Sequence, residues 1–149
     1  LAIPHEVEEL PNGHMLVADT HFDRVIEIDY PSKNIVWNWR PELINWTQVS
    51  SDWDSGHYFN NPIAYDWTHI NDVDFKQYGA WEACLISLRN FDLIVEVNYT
   101  ADFNDPNNPD NINWWYGDFE NHTLQKRQHN PDYLENGNII HTSIIISLS

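Results

Sequence analysis

The sequence predicts an all-β chain: part of a β-propeller made of four-stranded antiparallel blades. Three observations predict it. Short β-rich runs are punctuated by Asn-Gly and other glycine turns. The order of those runs repeats along the chain, and aromatic residues recur on the last run of each complete unit. A sandwich of unrelated hairpins would have equally short strands, but no reason to repeat their order.

The first unit covers about residues 1–40. H-E-V-E-E-L-P-N-G-H-M-L-V-A-D (5–19) turns at Asn12-Gly13, a pair suited to tight hairpins. R-V-I-E-I-D (24–29) and N-I-V-W-N-W (34–39) supply the third and fourth strands. Residues 41–65 are polar and turn-rich without clean alternation, and read as a long connection.

The second unit, about 66–118, opens with D-W-T-H-I-N-D-V-D-F-K-Q-Y-G-A-W-E-A-C-L-I-S-L-R-N-F-D (66–92), a hairpin turning near Gly79. His69 and Arg89 are equally distant from that glycine, so antiparallel pairing brings them to one end. L-I-V-E-V-N (93–98) matches 24–29 position by position, and N-I-N-W-W-Y-G-D (111–118) matches the first unit's fourth strand. The Asp- and Asn-rich loop 101–111 lacks the calcium-loop spacing that ends in Glu, so it reads as a solvated loop rather than a calcium site.

The third unit, about 122–149, contains H-N-P-D-Y-L-E-N-G-N-I-I-H-T-S (129–143), with Asn136-Gly137 where the first has Asn12-Gly13. It ends in S-I-I-I-S-L-S, without an acidic or an aromatic strand. About two and a half blades fall short of the ~4–8 that close a propeller. The expectation is a partial propeller, completed by further blades of a longer chain or by a homo-oligomer.

Composition narrows the function. Twenty-three acidic against 7 basic residues, net −16, exclude a phosphate-backbone partner such as nucleic acid. No apolar run approaches the ~18 residues of a membrane span. The single Cys84 lies in the apolar run A-C-L-I-S-L and reads as a buried thiol. Sequons at Asn45, Asn98 and Asn121 are compatible with an extracytoplasmic protein, periplasmic or secreted.

Equivalent positions in successive blades surround one axis, so His5, His69 and His129, each opening a hairpin, are expected to converge. Three imidazoles alone suit zinc with an open fourth position. Arg89 adds a permanent cation, and the set fits an oxyanion better: a guanidinium fork for its oxygens and a neutral imidazole as nucleophile. Asp19, across the first hairpin from His5, could accept its other ring N–H and fix the tautomer, though for it and for Asn71 a simple strand-end hydrogen bond is an equal reading. Asn71 falls on the His69 side of its strand by the period of two. Trp37, Trp39, Trp114 and Trp115 read as inter-blade packing, while Trp67, two residues from His69, is a candidate wall for an aryl substrate.

The segments P-H-E-V-E-E-L-P-N-G-H-M-L-V-A-D, D-W-T-H-I-N-D-V-D, L-I-S-L-R-N-F-D and Q-H-N-P-D-Y-L-E-N-G-N-I-I together resemble the arylsulfotransferase family that works without a nucleotide sulfate donor, a six-bladed propeller. The resemblance extends to about Ile140. It implies that an aryl sulfate gives its sulfuryl group to His129 and that a phenolic acceptor takes it back, with no soluble cofactor. It further implies that His69 and Arg89 hold the sulfuryl oxygens and that His5 moves the phenol's proton. Two readings from other classes stand beside it: a non-catalytic propeller that binds a ligand or a protein, and a three-histidine metalloenzyme.

Overall fold

The computed structural model describes residues 4–50, 66–100, 105–117 and 125–143. Turn chemistry sets its hairpins. In L-P-N-G-H the Leu10 N–H donates to His14 O (2.9 Å) and the Gly13 N–H to Leu10 O (2.8 Å); in L-E-N-G-N the Leu134 and Gly137 N–H groups make the same pair of bonds, at 2.8 and 2.9 Å. Gly13 and Gly137 sit at φ +81° and +84°, where a side chain is strained. The middle hairpin turns more tightly, because Tyr78 pairs with Trp81 and leaves Gly79 and Ala80 between them.

The chain is all-β and antiparallel. β1 (Pro4–Glu9), β2 (Met15–Asp19), β3 (Arg24–Asp29) and β4 (Asn34–Trp39) form one sheet in sequential order. β5 (Ile70–Tyr78), β6 (Trp81–Leu88), β7 (Leu93–Asn98) and β8 (Ile112–Tyr116) form a second. β9 (His129–Tyr133) and β10 (Ile139–Thr142) form a two-stranded third sheet. Two of the three sheets share one strand order.

The core explains why β6 and β7 lack polar alternation. Ala83, Cys84, Leu85, Ile86 and Leu88 on one strand, and Leu93, Ile94, Val95 and Val97 on the other, are all at most 1 % exposed. Such strands are covered on both faces, and neighbouring sheets supply the cover. Trp37 and Trp39 are buried in the same core, Trp37 against Tyr99 of the second unit with ring centroids 4.9 Å apart.

Carboxylates tie one unit to the next at corresponding places. Glu8 of β1 accepts the Phe75 N–H (2.7 Å), and Asp74 of β5 accepts the Tyr133 N–H (2.7 Å). Glu27 of β3 accepts the Tyr99 hydroxyl, and its counterpart Glu96 of β7 accepts that of Tyr133 (2.6 Å). Burial, followed by these carboxylates, holds both phenol pKa values above their ordinary range.

The connection after β4 departs from the expected polar, irregular segment. Its first part folds into a 3-10 turn, Pro41–Leu43, and a short helix, α1 (Trp46–Val49), with Ile44 and Trp46 buried. These apolar side chains sit among polar neighbours without a strand or long-helix period, so burial was not readable from pattern. Residues 51–65 lie outside the described residues. In loop 101–111 the described part is occupied by protein donors: Asn107 Oδ1 accepts the Arg40 N–H (2.6 Å) and Asn108 Oδ1 that of Asp110 (3.0 Å).

Candidate active site

Two register irregularities aim the central side chains. Pro4 pairs with Asp19 and Glu6 with Ala18, which makes His5 an extra residue in β1; Ile70 pairs with Leu88 and Asp72 with Ser87, which makes Asn71 one in β5. Bulges of this kind turn a side chain out of its alternating direction. A third shift lies between His129 and Asp132 in β9. The second bulge also levels His69 with Arg89, whose N–H donates to His69 O (3.2 Å).

The three histidines meet. The His5 ring centroid lies 5.9 Å from that of His69 and 5.9 Å from that of His129. Arg89 is close enough that its charge, together with those of His5 and His69, holds the His129 pKa down; burial is the larger cause. His129 is therefore the neutral imidazole at pH 7. Among the described residues no carboxylate pairs with Arg89, whereas Arg24 binds Asp19 and Arg40 binds Glu42. Its Nε is buried with no hydrogen-bond partner. A cation without a carboxylate partner among the described residues, beside three imidazoles, offers donors that an anion can use.

Hydrogen bonds assign the ring tautomers. Asp66 accepts from His69 Nδ1 (2.8 Å), which leaves Nε2 directed elsewhere. Asn71 Nδ2 donates to Gln128 O (2.8 Å) and lies 2.9 Å from His129 Nδ1. The carbonyl fixes which end of the amide is nitrogen, so Nδ1 is the acceptor and the resting His129 carries its proton on Nε2. Asn71 is 2 % exposed, and its Oδ1 has no partner.

One sequence expectation meets other surroundings here. Asp19 does not reach His5: its Oδ2 takes both Nε and a terminal nitrogen of Arg24, each at 2.8 Å, because a buried carboxylate is satisfied best by the nearest fork. Trp67 packs edge-to-face on Phe91, centroids 5.0 Å apart, as part of the core margin. Asp66 was not singled out from sequence; a carboxylate three residues before a histidine is a common spacing, and only the turn into β5 makes it a partner.

Beneath the histidines the inner strands carry Glu6, Glu8, Asp72, Asp74 and Asp132. Burial first, and then mutual repulsion, pushes Asp72 up to about 8 and Glu8 up to about 7. Among the described residues no three His, Cys, Asp or Glu side chains are grouped to hold a metal ion.

In a comparison with known families, residues 1–141 match the model described as Arylsulfotransferase (ASST). No curated protein and no solved structure matches the chain.

Proposed function

Because the chain belongs to the arylsulfotransferase family, we propose that its repeated sheets are blades of a propeller and that His5, His69, Arg89 and His129 move a sulfuryl group from an aryl sulfate to a phenol. One observation carries this reading: Arg89, with no carboxylate partner among the described residues, stands with three converging imidazoles, one of them held neutral. That is the donor set for an oxyanion and a nucleophile for its centre.

His129 Nε2 forms a bond to sulfur as the aryl oxygen–sulfur bond breaks, and the phenolate takes a proton from His5. Arg89 and His69 hold the equatorial oxygens; one such preorganised donor is worth ~10²–10³ in rate. The acceptor phenol then gives His5 its proton, its oxygen bonds to sulfur, and the N–S bond breaks. Attack requires a lone pair on Nε2, so the ring proton must pass to Nδ1. The buried Oδ1 of Asn71 becomes its acceptor when the amide turns away from Gln128.

p-Nitrophenyl sulfate and phenol given to the chain are expected to yield p-nitrophenol and phenyl sulfate, and His129→Ala to reduce this by at least ~10³-fold. An acid-labile sulfo-peptide containing residue 129 should be trapped when no acceptor is present. Undiminished turnover in His129→Ala would refute the assignment. Binding of aryl sulfate without turnover or trapping would favour a non-catalytic module.

A further inference from the structure

His129 and His69 are each reached from the unit before their own. The 3-10 turn Arg89–Phe91 ends at Asp92, in the left-handed conformation (φ 51°), and the corresponding turn Thr20–Phe22 ends at Asp23 (φ 48°). Both aspartates are buried, at 7 % and 6 % exposure. Asp23 accepts the Trp67 N–H (2.7 Å), the Thr68 N–H (2.6 Å) and the Thr68 hydroxyl (2.6 Å), immediately before His69. Asp92 accepts the Arg127 N–H (2.5 Å), two residues before His129. Gln128 adds bonds to Leu93 O (2.8 Å) and Ser87 Oγ (3.1 Å).

These entries are not relaxed backbone. His69, Arg127 and Asn130 have φ of 52°, 47° and 49°, a region strained for non-glycine residues that persists only where surroundings hold it. Charge-assisted bonds to a buried carboxylate are strong enough to do so.

We infer that Asp92 and Asp23 are positioning residues: each clasps the strand entry of the following unit and so sets the place of His129 and of His69. Asp92 has a second effect, because it closes the turn that starts with Arg89. One turn thereby fixes both the oxyanion clamp and, across the unit boundary, the nucleophile. The inference rests on the sulfuryl-transfer reading for its kinetic consequence, though not for its geometry.

The test compares Asp92→Ala and Asp92→Asn with Glu96→Gln, which disturbs an inter-unit contact away from the histidines. Readouts are p-nitrophenyl sulfate kinetics and the imidazole NMR titration of His129 in the full chain. A misplaced nucleophile costs about 10² in rate. Asp92→Ala is expected to lower kcat about 10²-fold with KM within about threefold, and to move the His129 resonances and apparent pKa. Asp92→Asn, whose amide oxygen still accepts the Arg127 N–H, should recover to within about tenfold of wild type. If Asp92→Ala loses no more activity than Glu96→Gln, or leaves the His129 titration unchanged, the inference is overturned. Should wild type release no p-nitrophenol, the transferase reading fails, and the titration alone decides the positioning role.

Discussion

Asn71 shows how much one residue decides at this site. The amide nitrogen is committed to Gln128 O and His129 Nδ1, and the oxygen is buried without a partner. A carboxylate in its place accepts from Nδ1 without turning and favours the imidazolium. The His129 pKa lies below its ordinary 6.5. Below it the ring is protonated and has no lone pair, so the first half-reaction should fall only under that pH. In Asn71→Asp this acid limb is expected to move up by about one unit, as one close opposite charge typically achieves. A pre-steady-state pH profile checks it, and an unmoved limb would mean that Asn71 does not govern the ring proton.

At the scale of elements, the strands matter less for chemistry than the turns and bulges between them. Gly117 follows β8 at φ 142°, and a Cβ there would stand 2.3 Å from Asp92 O and 3.1 Å from Leu93 Cα. Both obstacles are backbone, so no rotamer change relieves them, and the crowded carbonyl belongs to the clasp on His129. Gly117→Ala is expected to cost about 2–3 kcal/mol or more, seen as a fall of roughly 5–10 °C in melting temperature for a domain of this size. Gly79→Ala meets no atom within 4 Å and should cost only the ~1 kcal/mol of its left-handed backbone. Equal melting temperatures for the two variants would contradict the close approach.

For the molecule as a whole, convergence of inner strands concentrates acid. Asp72 is 4 % exposed and faces Glu6, Asp132, Asp74 and Glu8, with its carboxyl raised from 3.8 to about 8. The folded state thus holds a proton that the unfolded chain releases above pH 4. Stability from this group is complete below about pH 4 and is lost as pH rises toward 8. Asp72→Asn removes that loss: its melting temperature should exceed wild type by a margin that grows from pH 4 to pH 8 and passes the roughly 2–4 °C that ~1 kcal/mol gives a domain of this size. A gain independent of pH would show that the carboxyl is not protonated on folding.

The sequence by itself determined the strand order and the Asn-Gly turns and singled out the three histidines, because turn residues and periodicity act locally along the chain. It also carried the family, through T-H-I-N and L-R-N-F-D. Only the tertiary structure decided which side chains face one another. A bulge shifts direction by one residue without leaving a mark in composition, so the places of His5 and Asn71 were not legible. Asp19 went to Arg24 because the nearest partner in space lay elsewhere than across the hairpin. The matching aspartates of T-H-F-D and R-N-F-D were visible as a repeat. Their task, holding the next unit's histidine, exists only where two units touch.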